Sequence, residues 1–156
     1  MKIMFVCHGN ICRSPMAEFV FRDMLKRRGL DRTFTVSSCD TSSEEIWNGI
    51  GNPVYPLARA ELKRHGIDCS GKRAVQLTRD AYGKYDLFIG MDGANIRNMH
   101  RIFGSAPENK VKKLLSYADC DRDVADPWYT GDFETTYTDV VRGCEALLEI
   151  LLKGEK

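Results

Sequence analysis

The chain has no long apolar run, no excess of charge of either sign, no cysteines at metal-binding spacing and few histidines, and each gap removes a class of function. Its longest apolar stretches, Ile3-Met4-Phe5-Val6 and the end of the C-terminal segment, fall far short of the ~20 residues a helix needs to cross a bilayer. Met1-Lys2 is not followed by an apolar segment of signal length, so a cytoplasmic protein with no membrane partner is expected. With 23 basic residues against 22 acidic and a net charge of +1, bulk electrostatics offers no reason to bind nucleic acid. Any affinity for anions has to be local. The six cysteines (Cys7, Cys12, Cys39, Cys69, Cys120 and Cys144) include no C-x-x-C pair, and His8, His65 and His100 are scattered, so neither zinc nor another metal is implied. A chain of 156 residues can build its core without a disulfide framework, and reduced thiols are expected. There is no internal repeat and no linker, so residues 1–156 read as one domain.

What is present alternates between two periods. Residues 2–6 form a short apolar run suited to a strand buried on both faces, ending at Cys7. After a loop over residues 8–13, Ser14 and Pro15 read as a helix N-cap and first turn, Met16, Phe19, Val20 and Met24 share one face, and Gly29 closes the helix. Residues 34–38 alternate as a second strand, which makes a strand, helix, strand unit and calls for a parallel pair. Residues 41–56 are rich in Ser, Gly, Asn and Pro and predict a long surface loop carrying Trp47 and Tyr55. A helix over 57–65 stopped by Gly66, a strand over 86–90, a helix capped by Asp92 and reaching Phe103, and a strand over 111–115 follow. An acidic irregular stretch over 119–132 precedes a long amphipathic helix that begins at Phe133. The order predicts an α/β fold, an open sheet with helices on both faces and any ligand at the carboxyl ends of the strands.

The segment Cys7-His8-Gly9-Asn10-Ile11-Cys12-Arg13-Ser14 lies where that rule puts a ligand, between a first strand and the start of a first helix. Amides of such a loop and of the helix start converge on an anion, and Gly9 permits backbone geometry that a side chain would obstruct. A cysteine in that field and beside a guanidinium is expected as thiolate, which makes Cys7 the candidate nucleophile. Arg13 offers a planar fork matched to two phosphate oxygens. Ser14 can donate to the Cys7 sulfur and improve it as a leaving group.

The run Val6-Cys7-x-Gly9-Asn10-Ile11-Cys12-Arg13-Ser14-Pro15 resembles the phosphate loop of the low-molecular-weight protein tyrosine phosphatases. Asp126-Pro127-Trp128-Tyr129 is similar to the family's Asp-Pro aromatic segment, and Val36-Ser37-Ser38, Trp47-Asn48, Met91-Asp92 and Asn95-Ile96-Arg97 match family positions in order, so the likeness spans essentially the whole chain. The resemblance implies a four-stranded parallel sheet flanked by helices, hydrolysis of phosphotyrosine in proteins or of small aryl phosphates through a cysteinyl phosphate, no cofactor, and a monomer or weak homodimer. It assigns Cys7 as nucleophile, Arg13 as clamp, Asp126 as general acid and base, and residues 8–14 as the phosphate cradle. It further implies that Trp47, Trp128 and Tyr129 wall a slot for the substrate ring, that Asn10 holds the loop's shape, and that Cys12 pairs reversibly with Cys7 as a redox switch.

Plainer readings stand beside these. Cys12 can simply fill space, Trp47 can belong to the surface or to a protein interface, and Asp92 can be only a helix cap. The chain also departs from many relatives: it reads Val54-Tyr55-Pro56-Leu57-Ala58-Arg59-Ala60 after the tryptophan loop, the loop around Ser43 and Gly51 is longer by a residue, and Lys72 or Arg73 replaces a histidine that in some relatives sits near Asp92. Two further enzyme activities use this fold. A phosphoarginine phosphatase usually has a small threonine where this chain has Ile11, and an arsenate reductase needs a downstream cysteine pair that Cys69 and Cys120 are too isolated to form. A noncatalytic phosphate-binding module would lack the nucleophile or the acid, and both are present.

Overall fold

The computed structural model describes residues 1–104 and 109–154. The first strand, β1 (Lys2–Cys7), is buried from Ile3 onward because it lies in the interior of a sheet covered on both sides. Helix α1 (Arg13–Arg27) returns the chain to β2 (Thr35–Asp40), and β5 (Leu87–Gly90) and β6 (Val111–Lys113) complete the sheet. The order is β2-β1-β5-β6 with every pair parallel, as expected from the alternating periods.

The period-two alternation of β1 divides the apolar residues into two cores. Ile3, Phe5 and Cys7 face one side and pack with Met16, Phe21 and Leu25 of α1, with α2 (Pro56–Arg64) and with the long closing helix α5 (Phe133–Leu152). Phe5 meets Phe21 edge to face at 5.8 Å. Met4 and Val6 face the other side, against Phe88 and against Met99 and Phe103 of α3 (Gly93–Phe103). One layer of helices on each face leaves the carboxyl ends of β1, β2 and β5 free to carry loops.

Several local expectations change. Helix α1 begins at Arg13 with Cys12 in the cap position, not at a cap on Ser14; the Ser14 hydroxyl is occupied by Cys7 and Asn10 instead of by a helix amide. The loop over 41–56 contains a two-stranded hairpin, β3 (Ile46–Trp47) and β4 (Ile50–Gly51), turned by Asn48 and Gly49, both at positive φ. A Cβ at Gly51 would land on the Ala74 carbonyl, so this closeness of two backbones requires glycine. The strand expected over 111–115 stops at Lys113, and residues Leu114–Ala118 form a 3₁₀ turn that directs two consecutive fully buried leucines, Leu114 and Leu115, inward. Leu114 then sits so close to Gly143 of α5 that a Cβ there would strike its Cγ. Sequence periodicity also passes over a 3₁₀ turn at Arg79–Gly83 and a single helical turn, α4 (Pro127–Thr130). Among the described residues, no helix is long and apolar enough to cross a membrane.

Candidate active site

The loop after β1 reaches α1 through two residues at positive φ, Gly9 at 97° and Asn10 at 53°. Asparagine tolerates that region better than most residues with a Cβ, and here its side chain gains three partners there. Its Nδ2 donates to Ser14 Oγ at 2.7 Å and to Ser38 Oγ at 3.0 Å, and its Oδ1 accepts from the Val75 amide at 3.0 Å. Asn10 thus ties the loop to its own helix, to β2 and to the segment beyond. Behind it, Ser38 donates to the buried Glu18 at 2.6 Å, and Lys72 reaches the Ser38 carbonyl at 2.9 Å and Glu18 at 3.7 Å. Lys72 therefore serves β2 and α1 and makes no contact with Asp92, while Arg73 donates to the Gly51 carbonyl.

Cys7 is 1% exposed, with its sulfur 2.9 Å from Ser14 Oγ and 3.4 Å from the Ser14 amide. Ser14 Oγ also accepts from Asn10, which leaves its own hydrogen available to the sulfur; donated there, it favours thiolate. Burial nevertheless pushes the Cys7 thiol up from its ordinary value, opposed by the Arg13 charge and then by the Ser14 and Asn10 hydrogen bonds. The lowered thiol expected from the loop's position is therefore not found: burial outweighs the groups that favour thiolate, of which the Arg13 charge is the largest. The neighbouring Cys12 thiol is pushed up to about 12, first by burial and then by the negative charges of Cys7 and Asp126.

Arg13 is 3% exposed and fully directed. Its Nη1 donates to Asp92 Oδ2 at 2.8 Å and to the Val124 carbonyl at 3.0 Å, and its Nη2 lies 3.5 Å from Asp126 Oδ2. Asp92 does two jobs at once: its Oδ1 accepts from the Asn95 amide at 2.8 Å to cap α3, and Asn95 Oδ1 accepts from the Asp92 amide in return. Asp126 caps α4 by accepting from the Trp128 amide at 3.0 Å, and Pro127 at the first helical position sets the turn. The same cap aims Asp126 back across the loop towards Arg13.

A cavity of about 210 Å³ opens over the loop, bounded by Gly9, Ile11 and Arg13 below and by Asp126, Trp128 and Tyr129 on one side. Trp128 is 61% exposed and Tyr129 86%; Tyr55 braces Trp128 edge to face at 5.2 Å. Trp47 is not part of this wall. It stands on the hairpin, 71% exposed, and the side assigned to it is formed by Glu44 and Glu45. His8, half exposed, lines the same cavity and meets Glu44 at 2.9 Å. The adjacent acids at 44 and 45 were legible as a pair in a polar loop, but only the hairpin brings them to the mouth. A larger groove of about 960 Å³ shares Ile11 and Glu45 with the cavity and continues along the start of α2 past Arg59 and Lys63. The remaining cysteines, Cys39, Cys69, Cys120 and Cys144, carry no disulfide, and His65 stacks on Tyr137 of α5.

The chain that builds this loop, with a buried cysteine sulfur on its floor, a pinned guanidinium and a carboxylate opposite, matches known proteins along its whole length. The low-molecular-weight protein-tyrosine-phosphatase YfkJ of Bacillus subtilis is 38% identical over 158 residues, covering 100% of this chain and 99% of that protein. The crystal structure of YfkJ superposes with a TM-score of 0.92 at 37% identity, over 100% of this chain and 97% of that one. The structure of YwlE arginine phosphatase superposes at 0.83 with 27% identity, over 98% and 97%. The sequence model of the low molecular weight phosphotyrosine protein phosphatases matches residues 2–156, and the chain belongs to that family.

Proposed function

We propose that the chain hydrolyses phosphotyrosine in proteins through a cysteinyl phosphate on Cys7. The observation that carries this reading is the Arg13 guanidinium: buried, pinned by Asp92 and Val124 and facing Asp126 across the loop that holds Cys7. A guanidinium held so rigidly presents its fork without further ordering when two phosphate oxygens arrive. The loop amides of Ile11, Cys12 and Arg13 have no hydrogen-bond partner among the described residues and supply further donors.

The sulfur lone pair of the Cys7 thiolate attacks phosphorus, and the bond from phosphorus to the aryl oxygen breaks with its electron pair leaving on that oxygen. Asp126 gives its proton to the departing phenolate. In the second half the Asp126 carboxylate takes a proton from water, whose oxygen attacks phosphorus. The sulfur–phosphorus bond then returns its pair to Cys7, where the Ser14 hydroxyl stabilises the charge. Trp128 and Tyr129 flank the leaving group's side of the cavity, and the groove continuous with it has room for the chain around the phosphotyrosine.

Phosphoarginine is the second reading, supported by the likeness to YwlE arginine phosphatase. Against it, Ile11 projects a branched apolar side chain at the mouth, which suits an aromatic ring better than a guanidinium. The test is turnover of one peptide carrying phosphotyrosine, phosphoserine or phosphoarginine, in chelator. Preferred release from phosphotyrosine is expected, and faster release from phosphoarginine would replace the reading.

A further inference from the structure

Asp40 closes β2 directly opposite Cys7 in the parallel register and is 0% exposed. Its Oδ1 accepts from the Gly9 amide at 2.7 Å, the Ser42 amide at 2.8 Å and the Ser42 hydroxyl at 3.0 Å. Its Oδ2 is buried without a hydrogen-bond partner, and no ion pair to Asp40 occurs among the described residues. The backbone cannot carry the carboxylate away, because the Asp40 amide donates to Val75 and its carbonyl accepts from Leu77 on the neighbouring segment. Burial raises the Asp40 pKa, opposed by the hydrogen bonds from Ser42 and Gly9 and, less, by His8. Stability alone gives no account of such a group, since a buried carboxylate ordinarily has a cation beside it. Its hydrogen bond to the loop goes to Gly9, which lines the cavity at a φ of 97°.

We propose that Asp40 is a positioning residue that fixes the Gly9 peptide, withdraws its amide from the phosphate cradle and, through its charge, weakens the hold of the loop on phosphate dianions so that product leaves readily. The proposal rests on the reading of the loop as a phosphate site. A carboxylate so near a bound dianion opposes it in a region where water screens little. The remaining free amides and Arg13 still supply enough attraction to bind it.

The test is competitive inhibition by inorganic phosphate and by vanadate. In Asp40→Asn the side-chain oxygen still accepts from Gly9 and Ser42, while the charge is gone. Both inhibition constants should fall about 3- to 10-fold. A purely structural role predicts the reverse, because a loosened loop binds anions more weakly, so unchanged or raised constants overturn the proposal. A measurement on the unaltered protein does not depend on how that variant folds: during titration with phosphate, the amide resonances of Ile11, Cys12 and Arg13 should move and that of Gly9 should stay. Movement of Gly9 equal to theirs means Asp40 has released it, and the proposal fails. Absence of phosphotyrosine turnover and of phosphate competition in the unaltered protein overturns the loop's reading and the Asp40 proposal together. Turnover with competition, followed by unchanged constants in Asp40→Asn, overturns the Asp40 proposal alone.

Discussion

At the scale of single residues, the chemistry turns on how each charge is held. In the proposed mechanism Arg13 is the clamp, and it is also the main counterweight to the burial of Cys7; the two roles separate experimentally. Arg13→Lys keeps the charge and loses the fork, so kcat/KM should fall by about 10²- to 10³-fold in an aryl phosphate assay. Arg13→Met also removes the charge that lowers the Cys7 pKa. The pH midpoint for alkylation of Cys7 by neutral iodoacetamide should therefore move upward, since the thiolate then forms only at higher pH.

As the proposed general acid, Asp126 should matter where the leaving group is poor. Asp126→Asn should slow phosphoenzyme formation by about 10²- to 10⁴-fold for phenyl phosphate and much less for nitrophenyl phosphate, read as burst rates before steady state. Equal burst rates across the series would assign the acid to another residue. Cys12, with its thiol pushed up to about 12, stays protonated at neutral pH and is not the first to oxidise. If Cys7, with Arg13 and Ser14 beside its sulfur, meets peroxide first, its sulfenic acid condenses with the Cys12 thiol, releasing water and forming the disulfide. Reductant should restore activity after peroxide in the unaltered protein and fail to do so in Cys12→Ser; equal recovery would leave Cys12 a packing role.

At the scale of elements, helix starts place the site. Asp92 and Asp126 each cap a helix with one carboxylate oxygen and direct the other to Arg13, so the geometry of α3 and α4 is transmitted straight to the guanidinium. Asp92→Asn keeps a good cap yet sets a neutral amide against Arg13. It should lose activity at least about tenfold with little change in urea stability, whereas Asp92→Ala should also lose about 1 kcal/mol of stability with the cap. The Asp92 cap, the glycine stops and the alternation of strands and helices were legible, because they depend on neighbours along the chain; the cap expected at Ser14 was not, since that hydroxyl is drawn to Cys7 and Asn10. The hairpin β3–β4 was not, since two residues per strand leave no periodicity to read. With it were missed the turn of Trp47 away from the cavity and the arrival of Glu44 and Glu45 at its mouth.

At the scale of the whole molecule, two cores share one sheet, and only one lies beneath the site. Phe88 belongs to the other, in ring contact with Tyr82, Tyr85 and Phe103. Phe88→Ala should cost about 3–5 kcal/mol in urea unfolding, a large part of the 5–15 kcal/mol typical of such a domain. Turnover per folded molecule should change far less, because Cys7 and Asn10 are held from the opposite face and α3 reaches Arg13 only through Asp92 at its start, away from Met99 and Phe103. A matched loss of kcat would mean the two cores act as one support.

The chain by itself determined the order of strands and helices, the loop at the end of β1 and the chemical identity of Cys7, Arg13 and Asp126, since periodicity, caps and a dense local motif are properties of consecutive residues. Tertiary structure alone decided what stands around them. Asp92 and Val124 pin Arg13 from points far along the chain, Lys72 serves Glu18 and Ser38 in place of Asp92, and Asp40 reaches Gly9 only because β2 lies parallel to β1 with its end beside Cys7. Pairings of that kind depend on which strand ends meet. Register and packing set those meetings, and they join residues that no local pattern connects.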